Sequence, residues 1–287
     1  MVISMTSNMV ADNLSPQMDP VKAPLKFLAN HDVPLVYIPS KGGGDETDHV
    51  GNFSSQEVNI YDGRETKKKS NLDVEGFKLV SHKSQVTDFF SDTQINSTYQ
   101  KEMATLVTEI TGAKRIEIFD HTRRSACLNR QKETGMREPA AIIHNDYTAR
   151  SGIKRCQDYF GDRINEGNKL MQQRFAIINV WRSIAGTVYN HPLALCDAET
   201  LAPESIVSME RRAEERIGEI QVALYDPRQR WYYFPNMQSD EALIFKTFDS
   251  ATDGRARFTI HSSFEDPNIP QGGSPRESIE TRCLVFF

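Results

Sequence analysis

The sequence predicts a mainly β protein with flanking helices, a sandwich or jelly roll. Three observations carry that expectation. Beyond residue 112 the chain breaks into many short β-branched and aromatic runs separated by turn signals, one strong helical pattern precedes them, and no internal repeat divides the chain. At 287 residues and 38% hydrophobic content, the chain can bury roughly three quarters of its unfolded surface.

Taken in order, residues 1–25 are rich in Ser, Asn, Asp, Pro and Met without periodicity, and read as a flexible arm ahead of a single domain over 26–287. Strand-like runs follow at 34–38 and 76–81, and the stretch 40–70 between them reads as loop. Its Gly42-Gly43-Gly44 triplet lacks the Lys-Ser/Thr that completes a phosphate loop. The helix starts near Thr93, places Leu106, Val107 and Ile110 on one face, and meets its stop at Gly112. Extended segments are then expected at 115–119, 140–143, 175–181, 231–234, 242–248, 255–261 and 279–287. Helical inserts are expected near 152–172, where the pattern is amphipathic, and near 203–216, where it is highly charged.

Composition excludes several functions. No apolar run approaches the ~20 residues of a membrane span, and the first thirty residues lack the basic and apolar regions of a secretory leader. A net charge of −5 argues against a nucleic-acid partner, and the basic run Lys67-Lys68-Lys69 reads as a solvated loop. Cys127, Cys156, Cys196 and Cys283 show no C-x-x-C spacing, which fits buried thiols in a reducing, cytoplasmic setting.

Chemistry concentrates at His144-Asn145-Asp146. In an extended segment residues i and i+2 point to one face, so an imidazole and a carboxylate reach one point. They make two thirds of the two-His-one-carboxylate triad that holds non-haem Fe(II) with open positions. A strand end with Asp146 as turn cap is the bland alternative. His261 follows after 114 intervening residues, on an expected penultimate strand, and Arg276-Glu277-Ser278 opens the terminal one. A histidine and an arginine so placed can lie side by side across an antiparallel pair. Arginine suits a bidentate grip on a carboxylate, to which serine adds a hydroxyl.

At this point the sequence resembles a family. His144-Asn145-Asp146-Tyr147-Thr148 with Ser151-Gly152 is similar to the iron motif of oxygenases related to cephamycin CmcJ, the fungal gibberellin desaturase and the hydroxylase AsaB. Asn179-Val180-Trp181-Arg182, the block 192–198, Trp231-Tyr232-Tyr233-Phe234, Asp249-Ser250, Phe264, Asp266-Pro267 and the block 276–280 match in the same order, over about residues 75–287. The family includes a meroterpenoid endoperoxide-forming oxygenase, and the resemblance extends to that enzyme or a close relative of it. It implies a double-stranded β-helix (jelly-roll) fold, with Fe(II), 2-oxoglutarate as cosubstrate, and O2. It also implies His144, Asp146 and His261 as metal ligands, Arg276 with Ser278 as the cosubstrate anchor, and no catalytic residue beyond the metal centre. The spacing from His261 to Arg276 exceeds that of plant-type oxygenases, leaving Arg282 as a second candidate anchor. Gln229-Arg230 stands where relatives carry a histidine.

Five further residues are candidates for the substrate site, each against a packing role: Tyr147 and Thr148 beside the metal motif, Trp181 and Arg182 after an apolar strand, and His121 at a strand end. Arg182 can meet a substrate carbonyl or pair with Asp197. Lys246 reads as a snorkelling surface lysine with an anchor role as alternative. Ile153, Phe160, Ile164, Leu170, Ile184 and Val188 in the flanking loops favour a mostly apolar natural product such as a fungal terpenoid or meroterpenoid. Hydroxylation, desaturation and endoperoxide formation all stay open, and a homodimer is among the expectations. The rival readings are a non-catalytic cupin-like binder and an iron oxygenase that does not use 2-oxoglutarate.

Overall fold

The computed structural model describes residues 19–66, 69–214, 216–269 and 272–287. Among these residues, strands assemble into two sheets. The larger runs in the order β1 (Val21–Asn30), β4 (Asn52–Asp62), β12 (Trp231–Tyr233), β9 (Leu193–Cys196), β14 (His261–Ser263), β7 (His144–Asn145), β11 (Arg216–Ala223), β10 (Ile206–Ala213), β2 (Val36–Ile38) and β3 (Asp48–Val50). The smaller runs β5 (Phe77–Ser81), β13 (Glu241–Asp249), β8 (Phe175–Ser183), β15 (Glu277–Phe286) and β6 (Arg115–Ser125). The arrangement is mostly β, with few helices, and its curled sheets give the expected jelly roll.

Strand β8 explains how one sheet serves two purposes. All nine of its residues are buried, so both faces are covered and the apolar run is continuous. Ala176, Ile178 and Val180 face outward onto the helix Gln100–Thr111, whose Met103, Leu106 and Val107 bury into the same cluster. Fully burying each such side chain contributes about 1.5–3 kcal/mol. The alternate residues, Ile177, Asn179, Trp181 and Ser183, face the other way, toward the larger sheet. The helix ends at Gly112 with φ +69°, a left-handed conformation that favours glycine.

The first helical insert forms as Ala149–Phe160 and Ile164–Met171, with Cys156 and Phe160 packed on Phe175, Ile177 and Phe286. The second does not. Residues 203–216 give a short 3-10 turn (Pro203–Ser205) and then β10, which turns into β11 as an antiparallel hairpin. The Glu, Arg and Ala there favour a helix, but pairing with β11 and β2 buries Met209 on one face and overrides that local preference.

The loop expected over 40–70 contains β3 and β4. The eleven residues of β4 are mostly polar because one face stays solvated, while Val58 and Ile60 bury beneath β1. Strand β1 begins at Val21, so the expected arm boundary at 25 falls inside it; residues 1–18, Lys67 and Lys68 lie outside the described residues. The segment 140–143 makes only an isolated bridge at Ile142. Residues 255–260 stay irregular and the strand starts at His261.

Candidate metal centre

Strand β7 is two residues long, and it is held on both sides. His144 pairs with Val222 of β11 and with His261 of β14. The two histidines are therefore direct cross-strand neighbours, with ring centroids 4.5 Å apart. Asp146 follows two residues on, and one ligand atom from each of His144, Asp146 and His261 lies within 4.8 Å of the others. Below this cluster Asn145 points inward, where its amide donates to Tyr147 O, Gln221 Oε1 and Thr247 O at 2.7–2.9 Å. That network fixes the short strand that carries the ligands.

Each imidazole is oriented through its Nδ1. His144 Nδ1 lies 2.8 Å from Ile142 O, and His261 Nδ1 lies 2.9 Å from Thr259 O. A carbonyl only accepts, so each Nδ1 carries the proton and each Nε2 presents a lone pair. Burial, and then the charge of His261, pushes the pKa of His144 down to about 4; burial also lowers that of His261. Both rings are thus neutral ligands at ordinary pH. Gly76 supports His261 from behind: with φ +89°, its carbonyl accepts from Thr259 Oγ1, and a Cβ there would stand 2.4 Å from that oxygen.

The carboxylate is equally constrained. Asp146 Oδ2 accepts from Asn179 Nδ2 and from Arg282 Nε, both at 2.8 Å. Oδ1 is left facing His144 Nε2 at 3.7 Å. Burial alone would raise the pKa of Asp146, but Arg282 and the two imidazoles outweigh it and hold the group ionised well below the usual range. Two neutral imidazole nitrogens and one free carboxylate oxygen, converging at one point, fit a divalent metal of the Fe(II) kind.

Arg276 and Arg282, the two candidate anchors, have different surroundings. Arg282 is saturated by carboxylates: besides Asp146 it pairs with Asp120 and Glu280, and Thr122 Oγ1 accepts at 2.9 Å. Arg276 is buried and has no carboxylate partner among the described residues. Its Nη1 donates to His191 O, its Nε is orphaned, and its guanidinium lies 5.4 Å from the Trp181 ring. Burial, and then Arg124, pushes its pKa down to about 9. A buried unpaired cation of this kind fits the distal carboxylate of a 2-oxoacid. His261 and Arg276 are not side by side as the spacing suggested, because β14 lies in the larger sheet and Arg276 enters β15 of the smaller.

The remaining candidates divide. His121 and Tyr147 line a cavity of about 670 Å³ that also contains His144 and Asp146. His121 shares Nδ1 with Thr281 Oγ1 at 2.9 Å and leaves Nε2 without a partner. Trp181 packs with Phe77, Val188 and Leu195 beneath Arg276, and Ser278 is buried opposite Ser183. Thr148 is instead a helix cap: its hydroxyl accepts from Ser151 N and donates to Glu219. Arg182 sits on the outward face of β8, where it donates to His82 O and Ser239 O and does not pair with Asp197. Lys246 is not on the surface; it is buried between Asp73 and Asp249. None of the apolar residues expected to shape the substrate site lines the cavity; Phe160 and Leu170 pack the insert, and Val188 packs beside Trp181. Sequence reasoning passed over Asn179, although a lone amide in an apolar strand is itself a signal.

A jelly roll with a His-Asp-His cluster beside its cavity defines a protein of the mononuclear metal-site class. The comparisons specify which. Residues 25–286 match the family model described as oxidoreductase/YMDC permease-like domain, and among the described residues no helix is long and apolar enough to cross a membrane. The hydroxylase/desaturase CTB9 of Cercospora beticola is 31% identical over 302 residues, covering 95% of this chain and 92% of that protein. The Fe(II)/2-oxoglutarate-dependent dioxygenase nvfI of Aspergillus novofumigatus is 31% identical over 244 residues, covering 82% and 84%. The solved structure of the iron and alpha-ketoglutarate-dependent endoperoxidase NvfI superposes with a TM-score of 0.80 at 26% identity, covering 94% of this chain and 98% of that one. The chain belongs to this family of fungal hydroxylase/desaturases and dioxygenases, as the motif blocks implied.

Proposed function

We propose that the protein is an Fe(II)/2-oxoglutarate-dependent oxygenase that acts on a C–H bond of a small-molecule natural product in fungal secondary metabolism, within a single domain over 26–287. The observation that carries this reading is the convergence of ligand atoms from His144, Asp146 and His261 beside a cavity lined by the first two, each group aimed by a hydrogen bond on its other side. Iron and 2-oxoglutarate, when bound, would supply the oxidising power, with succinate and CO2 as co-products. The residues bind and orient. His144, Asp146 and His261 hold the metal, leaving open positions. Arg276 receives the distal carboxylate of 2-oxoglutarate, with Ser278 alongside on β15 and Trp181 beneath the guanidinium. His121 and Tyr147 bound the substrate side of the cavity.

The relatives' names cover hydroxylation, desaturation and endoperoxide formation, and the product is proposed as one of these, on a meroterpenoid or a comparable scaffold. The reading carries no nucleic-acid partner. A cytoplasmic setting is supported by the free cysteines, and a homodimer by the exposed Ile38 and Val50 at the β2–β3 edge of the larger sheet.

Anaerobic reconstitution with Fe(II) and 2-oxoglutarate tests the centre through the visible charge-transfer band of the chelate. Succinate release coupled to product mass then tests the reaction. A gain of one oxygen marks hydroxylation, a loss of two hydrogens desaturation, and a gain of O2 a peroxide. A protein that binds neither iron nor 2-oxoglutarate is a binder only.

A further inference from the structure

The cavity beside the triad is basic. Nine arginine or lysine side chains line it against four carboxylates. Several of these cations are neutralised locally: Arg282 by its three acids, Lys41 by Glu214, and Lys154 by Asp158. Arg137 and Arg211 are not. Both are half-buried, and neither has a hydrogen-bond or ion-pair partner for its guanidinium among the described residues.

They reach the cavity from different elements. Arg137 bridges to Arg124 of β6, and Arg211 lies on β10 opposite Tyr37 of β2. Arg211 lines the same cavity as Arg137, Arg282 and the metal ligand Asp146. Arg124 adds a further cation whose Nη1 meets only Glu138 O, at 2.7 Å. Burial first, and then this mutual repulsion, disfavours the charged forms of Arg137 and Arg211. Unpaired like charges crowded in a cleft destabilise the folded state, and an anion placed between them removes the repulsion. The cosubstrate does not supply that anion, because Arg276, on the Trp181 side, is the buried guanidinium suited to it, and Arg276 does not line this cavity.

We propose that the substrate carries an ionised carboxylate, gripped between Arg137 and Arg211 at the mouth of the metal cavity. The inference rests on the oxygenase reading and adds the substrate's charge to it. Arginine pairs with a carboxylate through two parallel hydrogen bonds, which fixes the angle of the scaffold behind it. Phe119, Met136, Tyr147 and Ile217 supply the apolar wall on which the remainder of such a molecule rests. A volume of about 670 Å³ falls within the range of small-molecule sites.

The test uses protein loaded with Mn(II) and saturating 2-oxoglutarate without O2, titrated with 1-naphthoate and with 1-naphthamide by calorimetry. The carboxylate is expected to bind roughly tenfold or more tighter than the amide, the ratio expected of a charge-assisted hydrogen bond. Arg137→Gln and Arg211→Gln should each remove most of that preference, leaving the amide and 2-oxoglutarate affinities within about twofold. Arg211→Lys, which keeps the charge, should restore part of it. Equal binding of acid and amide, or no binding of the acid, overturns the proposal. So does a pair of variants that weaken 2-oxoglutarate and leave naphthoate unchanged. Failure of wild-type protein to take up Mn(II) and 2-oxoglutarate before any probe is added sinks the oxygenase reading instead. The naphthoate preference is then read on metal-free protein, where its absence overturns the anion site as well.

Discussion

Arg282 Nε donates to Asp146 Oδ2 at 2.8 Å, and that contact decides which carboxylate oxygen faces the metal position. With Asn179 on the same oxygen, Oδ1 alone is free to ligate. Arg282 is therefore a positioning residue, placed on the interior strand β15 and locked by Asp120 and Glu280.

Arg282→Gln should lower iron affinity by about 10–100-fold, the usual loss when a hydrogen-bond partner of a ligand is removed. The apparent affinity for 2-oxoglutarate, measured at saturating metal, should change much less. Asn179→Ala should act in the same direction. Metal titration followed by fluorescence or calorimetry checks both, and an unchanged Kd for iron refutes the positioning role.

Arg276→Leu should do the reverse. Losing a buried charge-assisted pair costs on the order of 2–5 kcal/mol, roughly thirty- to several-thousand-fold in 2-oxoglutarate affinity. Iron content should stay near wild type. A 2-oxoglutarate phenotype in Arg282→Leu without one in Arg276→Leu would reassign the anchor.

His261→Ala should abolish succinate release and strip most of the iron, with circular dichroism unchanged. Gly76→Ala is the informative companion. Its methyl displaces Thr259, the residue whose carbonyl aims His261, so iron affinity should fall although no ligand is altered. Native-like turnover in His261→Ala would exclude it as a ligand.

Acid sensitivity follows from His121. Burial pushes its folded pKa down to about 4, below the ordinary histidine value of 6.5. Between these values the unfolded chain binds the proton and the folded chain does not. This group's stabilising contribution is therefore present above about pH 6.5 and is lost as pH falls toward 4. His144 adds to the same window in metal-free protein. In this range unfolding of His121→Gln should take up about one proton fewer per molecule than unfolding of the wild type, read from a shallower slope of stability against pH; an identical slope would show that His121 does not titrate on unfolding.

The jelly roll, the His144–Asp146 pair and the helix at 92–111 were legible because each has a local signature: turn-punctuated strands, i/i+2 spacing and an i, i+3, i+4 face closed by glycine. His261 has none, and it entered through the order of the distal blocks and the family resemblance. The hairpin of β10 and β11 was not. Its Glu-Arg-Arg-Ala composition favours a helix, and only pairing partners distant in the chain decide otherwise. The polar strand β4 was hidden for a related reason, since solvated faces look like loop. Charge at the cavity was invisible too. Arg137 and Arg211 are far apart in sequence, and of the apolar residues that pointed to a greasy pocket Phe160 and Leu170 pack the insert, Val188 packs beside Trp181 and Ile153 stays exposed.

Strand β15 lies between β8 and β6, although both precede it by many residues in the chain. During synthesis those two strands leave the ribosome with a vacant slot between them, and the slot closes only when the C-terminal strand arrives. The same strand delivers Arg282, so the carboxylate ligand is not aimed until the sheet is whole. A nascent or truncated chain thus displays His144 and Asp146 without a competent centre. The other side of that arrangement is that the open slot is a template for the β15 of a neighbouring chain, which makes strand exchange the natural misassembly of this fold.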